Sequence, residues 1–225
     1  FNYNRRIGKH NIGGLLLYNQ SKSYYPWDSD GSIYQSIPKG YVGLVGRVTY
    51  DYDTKYLLDL NIGYNGSENF APGHRYGFFP AGSVGWVMSS EEFMKPVRFI
   101  NFLKLRASYG IVGNDKYSGD RFLYMPNSWT GNNGAIYGGS YQFGPGYTSD
   151  MLTDAQEQSN GNPVVSWEKC SKQNYGLDMK MFDYRLNLVV DVFFEHRWDI
   201  LTTRNTLPSI TAVKLPLMNL GIVDN

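Results

Sequence analysis

The stretch Tyr41–Gly66, YVGLVGRVTYDYDTKYLLDLNIGYNG, decides how this chain is read. In its first half Val42, Leu44, Val48, Tyr50 and Tyr52 fall on one face, and Arg47, Thr49 and Asp51 on the other. In its second half Tyr56, Leu58, Leu60, Ile62 and Tyr64 oppose Asp59, Asn61 and Asn65. Asp53, Thr54 and Lys55 supply the tight turn between them. A period of two with one apolar and one polar face is the pattern of an antiparallel barrel, apolar outside and polar inside. Closed barrels and helices are the only stable membrane-spanning structures, so the pattern points to an outer membrane.

The same rhythm places eight strands along the chain. Phe1 to about Arg5 is a first strand, followed by a turn at Arg6–Lys9 and a second strand over Asn11–Gln20. Tyr41–Tyr52 and Tyr56–Gly66 are the third and fourth. The fifth runs from about Phe78 to Met88, with Pro80 demoting its start to an irregular or edge position. Ser89–Phe99 is a connector in which Ser90–Lys95 forms one helical turn stopped by Pro96. The sixth strand is Phe102–Val112, the seventh Val165–Met181 and the eighth Leu186 to about Arg197. From Trp198 the pattern reads as a loop leading to a ninth strand that the chain barely reaches.

The connections alternate. Short turns or compact connectors fall at 6–9, 53–55, 89–99 and 182–185, and long loops at 21–39, 65–77, 113–162 and from 198 onward. Outer-membrane barrels show this asymmetry, with short periplasmic turns and long outside loops. Tyr56 and Tyr64 lie eight residues apart on one face, about 26 Å along a strand at ~3.3 Å per residue. Tilted by ~40°, that becomes roughly 20 Å of height, near the ~25 Å apolar band of such barrels. Tyr52, Tyr56, Trp86, Phe182 and Tyr184 then form an inner girdle, and Tyr18, Tyr64, Tyr109 and Phe194 an outer one.

Composition narrows the function classes. A net charge of +1 implies no field for nucleic acid. Nineteen tyrosines exceed what an ordinary core needs and suit interfacial girdles. Cys170 stands alone, which leaves no internal disulfide and no cysteine metal site. The chain opens at Phe1 inside a strand pattern, without an initiator Met or signal peptide, and is read as an internal piece of a longer protein.

Ordered segments of this chain resemble one family. They are Pro38–Tyr52, Gly63–Phe70, Gly77–Trp86, Leu103–Gly110, and Pro163–Lys169 with Gly176-Leu177-Asp178. In sequence and in order they resemble the SusC/RagA-type TonB-linked outer-membrane transporters. The resemblance implies a Gram-negative outer-membrane importer of oligosaccharides or peptides with a 22-stranded barrel. It implies an N-terminal plug, drive from TonB and a SusD-like lipoprotein lid. Residues 1–225 would then be about eight strands of the barrel domain, with the plug and the TonB-contacting segment outside this chain. Two alternatives stay open. One is a complete eight-stranded barrel acting as an anchor, adhesin or membrane enzyme. The other is a soluble glycan-binding β-sandwich.

Two residue sets are candidates for function. Arg47, Asp59, Lys104, Arg106, Asp178, Lys180, Asp191 and Glu195 fall on the polar side of their strands, as a lumen wall or a plug-docking surface. If the 53–55 turn is symmetric, Arg47 faces Asn61 and lies diagonal to Asp59. In the long loops Tyr24, Tyr25 and Trp27 cluster, as do Trp129, Tyr137, Tyr141, Phe143 and Tyr147. Flat rings among amides and carboxylates suit sugar faces and hydroxyls, and also suit contact with a lid protein.

Other motifs carry less. Ala81-Gly82-Ser83-Val84-Gly85 approaches a nucleophile elbow, yet alternation continues through Trp86 and no helix follows, so no enzyme is implied. His10, His74 and His196 show no ligand spacing. Asp28-Ser29-Asp30-Gly31 lacks the later ligands of a calcium loop, and Asn19-Gln20-Ser21 and Asn65-Gly66-Ser67 match only a glycosylation pattern. No metal or other cofactor is implied.

Overall fold

In the computed structural model the chain is all-β. The structure describes residues 1–23, 37–118, 121–126, 160–204 and 215–225, together with the backbone of four two-residue strands between 130 and 156. In chain order the strands are β1 (Asn2–Ile7), β2 (His10–Ser23), β3 (Lys39–Tyr52), β4 (Tyr56–Ser67), β5 (Tyr76–Val87) and β6 (Ile100–Asn114). Then come the short β7 (Thr130–Gly131), β8 (Ser140–Tyr141), β9 (Leu152–Thr153) and β10 (Ala155–Gln156). Last are β11 (Glu168–Met181), β12 (Leu186–Thr203) and β13 (Leu217–Asp224). Nine strands make one antiparallel sheet in the order β1-β2-β3-β4-β5-β6-β11-β12-β13. The short strands pair outside it, β7 with β10 and β8 with β9.

The register carries the alternation across the sheet. Leu58 faces Val84, Val84 faces Ala107, Ala107 faces Tyr175, and Tyr175 faces Val192. This row belongs to the apolar face, and no second layer covers it among the described residues: Leu60 is 48% and Ile62 50% exposed. A sandwich would bury that face under a partner sheet. A bare apolar face on a single antiparallel sheet is what lipid covers in a barrel.

Short turns hold one end. Gly8 takes φ +59°, and Asp53 and Thr54 take φ +53° and +56°. The Lys55 amide donates to Tyr52 O at 2.9 Å, and the Thr54 amide donates to Asp51 Oδ1 at 2.7 Å. Each turn also leans on the next. Asp53 N–H donates to Lys9 O at 2.7 Å, Val87 N–H to Lys55 O at 2.8 Å, and Phe182 N–H to Phe99 O at 3.0 Å. In the 88–99 connector two 3₁₀ turns, Met88–Ser90 and Glu92–Met94, stand where one helical turn is expected.

The opposite end holds the only hydrophobic core among the described residues. Phe70, Phe79, Leu123, Val165, Trp167 and Leu201 are each at most 9% exposed. The arrangement follows from Pro80. Pairing of β5 with β6 stops at Ala81 opposite Gly110, while β5 stays paired to β4 up to Tyr76. Proline has no N–H to give a second neighbour, so it sits where β6 leaves. Phe79 then packs edge-on against Trp167, at 5.2 Å between ring centroids. The 65–77 segment, expected as a loop, contributes Phe70 to this core and turns at Pro72-Gly73, with Gly73 at φ +98°.

Expected strand ends change here: β11 begins at Glu168 rather than Val165, which leaves Val165 and Trp167 to the core. β12 does not end near Arg197 but continues to Thr203. Its register against β13 shifts between Arg197 and Leu201, with Asp199 at φ +57°, and this bulge breaks the alternation that sequence alone follows. The ninth strand is a full eight residues, β13.

Candidate functional site

The candidate site is the polar face of the sheet. Arg47 pairs in register with Asn61 and reaches diagonally to Asp59, as the symmetric turn implies. Its Nε lies 3.1 Å from both carboxylate oxygens and Nη2 completes the fork, while Asn61 Nδ2 donates to Asp59 Oδ1 at 2.7 Å. A planar guanidinium matches a carboxylate in this bidentate way.

A second group crosses three strands. Arg106 on β6 faces Gly176 on β11, which faces Asp191 on β12. Arg106 Nη2 is 2.8 Å from Asp191 Oδ2 and 3.4 Å from Asp178 Oδ1. The glycine makes this possible, because a Cβ at position 176 would lie 2.7 Å from Arg106 Cγ. Nearer the loop end, Glu195 holds Lys172 Nζ at 2.8 Å and Arg197 Nη2 at 2.8 Å. Lys172 and Arg197 share the face of Glu195, so alternation would have found them.

The remaining two predicted wall residues differ. Lys104 has no ion pair among the described residues. Lys180 stands over aromatic rings, 5.7 Å from the Phe102 centroid and 6.0 Å from that of Tyr184. A concavity of about 550 Å³ on this face is lined by Asp59, Ser83, Lys104, Arg106 and Asn174 among others. Arg106 Nε and Asn174 Oδ1 are buried there without a hydrogen-bond partner. The face is not wholly polar: Val189 and Phe193 fall on it opposite Asp178 and Asn174 and are 53% and 60% exposed.

The short-turn rim has its own charge cluster. Lys9 Nζ meets Asp53 Oδ2 at 2.8 Å, and that hydrogen bond holds the Asp53 carboxyl below the usual carboxylate range. Glu91 accepts from Tyr56 Oη at 2.6 Å and Trp86 Nε1 at 3.3 Å, and its pKa is lowered by those two hydrogen bonds first.

The predicted loop aromatics lie outside the described residues. This holds for Tyr24, Tyr25, Trp27, Trp129, Tyr137, Phe143 and Tyr147, and for Asp28 to Gly31; of Tyr141 only the backbone, in β8, is described. Ser83 sits in mid-strand between Asp59 and Ser108, not on an elbow. His10 shares a hydrogen bond with Tyr50 Oη at 2.8 Å, and His196 bonds Asp224. Among the described residues no three His, Cys, Asp or Glu side chains group to hold a metal.

A single antiparallel sheet with one bare apolar face, one face of paired charges and interlocked short turns at one end defines a segment of a transmembrane β-barrel wall. No family model matches the chain. Among curated proteins it is 29% identical over its full length to TonB-dependent receptor P39 of Formosa agariphila, of which it covers 22%. It is 33% identical, over 82% of its length, to TonB-dependent receptor SusC of Bacteroides thetaiotaomicron, of which it covers 17%. Among solved structures, the RagAB peptide importer in its closed-closed state superposes with a TM-score of 0.75 at 22% identity, covering 99% of this chain and 25% of that one. The siderophore receptor PirA of Pseudomonas aeruginosa superposes at 0.54 and 12% identity, over 98% of this chain and 36% of that one. These two likenesses concern the fold. The chain belongs to the family of TonB-dependent receptors that includes SusC. It spans less than a quarter of the length of the curated relatives quoted.

Proposed function

We propose that this chain is part of the wall of an outer-membrane nutrient importer driven through TonB. The observation that carries the reading is the bare apolar face backed by a face of paired charges, on a chain whose relatives are named TonB-dependent receptors. Residues 1–225 contribute barrel strands, and a plug with the TonB-contacting segment belongs to the rest of the protein. A SusD-like lipoprotein closes the outer mouth. The substrate is an oligosaccharide or a peptide; the superposition on an assembly named a peptide importer supports the second. Transport proceeds by binding, gating and translocation, without covalent chemistry.

Within this reading the paired charges face the plug. Arg47–Asp59 and Arg106–Asp178–Asp191 keep the wall hydrated, and Arg106 Nε, Asn174 Oδ1 and Lys104, which have no partner among the described residues, are polar groups that a plug segment or passing ligand can meet. The loop aromatics Tyr24, Tyr25, Trp27, Trp129, Tyr137, Tyr141, Phe143 and Tyr147 are proposed as ligand or lid contacts. The test is uptake of labelled peptides and oligosaccharides by cells with and without the complete receptor, in backgrounds with and without TonB. Uptake lost in both deletions supports the reading, and uptake indifferent to TonB refutes it.

A further inference from the structure

A second concavity, of about 320 Å³, lies on the apolar face at the long-loop end. Its floor and walls include Gln20, Val42, Gly66 and Tyr76, which form one cross-strand row: Gln20 faces Val42, Val42 faces Gly66, and Gly66 faces Tyr76. Gly66 seats the Tyr76 ring. It bears no side chain, and the Tyr76 ring lies across it, 2.6 Å from where a Cβ would stand. Tyr76 also stacks on Tyr64, with centroids 5.2 Å apart and planes 6° from parallel.

The row beneath is Tyr18, Leu44, Tyr64 and Phe78, in register across the same four strands and exposed on the same face. The hollow therefore sits one step above an aromatic belt, at the height where membrane proteins meet lipid headgroups. Two cations border it, Lys22 and Arg75, and neither has an acidic partner among the described residues. The nearby carboxylate is already committed. Glu68 is paired with Arg121 and accepts the Gly40 amide at 2.7 Å. Arg75 spends only Nε, on Phe70 O at 3.1 Å, and Gln20 uses its carbonyl oxygen on Tyr18 Oη at 3.1 Å, leaving its amide N–H groups to donate. Cations without an acidic partner among the described residues, beside free amide donors, are the chemistry that binds phosphate.

We propose that this hollow seats the phosphate-bearing headgroup of an outer-leaflet lipid, whose acyl chains run down the face over Tyr18, Tyr64, Phe78 and Ile62. The inference rests on the outer-membrane reading above. A soluble phosphate needs no apolar track; a lipid does, and the track is continuous with the hollow.

The test uses the complete receptor in nanodiscs of phosphatidylcholine, with and without lipid A, and counts lipid retained after release by native mass spectrometry. The expected result is retained lipid A, weakened about tenfold by Lys22→Gln and further by adding Arg75→Gln, since each removes one charge-assisted contact. Lys22→Arg should retain binding. Lys22 is exposed and bonded to no described residue, so its variant leaves folding intact. Equal retention by wild type and Lys22→Gln overturns the proposal. So does millimolar inorganic phosphate occupying the site while lipid A is not retained. Failure of the receptor to enter phosphatidylcholine nanodiscs would instead refute the membrane reading itself.

Discussion

Arg106 lies in a slot whose floor is Gly176. The two residues face each other across the β6–β11 ladder, and the missing side chain at 176 lets the guanidinium cross β11 to reach Asp191 on β12. A charge on one strand thus reaches a carboxylate two strands away.

Gly176→Ala should therefore destabilise the wall. The added methyl would press on Arg106 Cγ from 2.7 Å, an overpacking that costs about 1–3 kcal/mol. The check is the midpoint of heat-induced unfolding followed by gel mobility. Asp191→Asn, which keeps the slot and removes the charge, separates crowding from ion pairing. An unchanged midpoint in Gly176→Ala would mean that Arg106 does not occupy the slot.

The face assignment is testable at adjacent residues. Leu60→Arg should cost about 2–4 kcal/mol where it faces midplane lipid, and Asn61→Arg, beside Arg47 on the polar face, much less. Equal losses in unfolding free energy, measured in lipid, would reject the assigned faces.

The short-turn rim should loosen in acid. Hydrogen bonds from Lys9 to Asp53, and from Tyr56 and Trp86 to Glu91, hold both carboxyls below their ordinary values. A carboxyl with a lowered folded pKa stabilises above its unfolded pKa, and that contribution fades as pH falls through the ordinary carboxylate range toward the folded value. Amides at 53–55 and 87–92 should lose exchange protection, corrected for intrinsic rates, as pH falls from about 5 to below about 4. Asp53→Asn should abolish the pH dependence at its own turn.

Trp167→Ala should release the loop-end core. Trp167 is 5% exposed, its ring packs on Phe70 and Phe79, and its indole N–H donates to Arg75 O at 3.1 Å. Truncation at such a site costs about 3–5 kcal/mol. Proteolysis should then cut the 67–75 connection while the strands toward the short turns stay protected.

The strands were legible because lipid and lumen impose opposite chemistry on successive residues. Tyr41–Gly66 shows this fully: its register, its tight turn and the Arg47–Asp59 fork all follow from counting residues across Asp53–Lys55. Counting failed at Trp198, where the bulge before Leu201 shifts the faces. It also failed at Phe70, whose burial depends on β5 parting from β6 at Pro80. Neither event has a periodic signature. The place of Glu195 on the polar face was legible, and its partners Lys172 and Arg197 lie on the same face.

By itself, then, the sequence determined the kind of structure: the strand count of the main sheet to within one, turn asymmetry, and which side of each strand is apolar. Period two is a local property, and it survives without knowledge of neighbours. Only the tertiary structure decided which residues meet across strands that are distant in sequence. Arg106 reaches Asp191 through the gap left by Gly176, and Tyr76 covers Gly66 above a belt of rings. Those contacts join residues from separate strands, and the register that aligns them exists only once the sheet has formed.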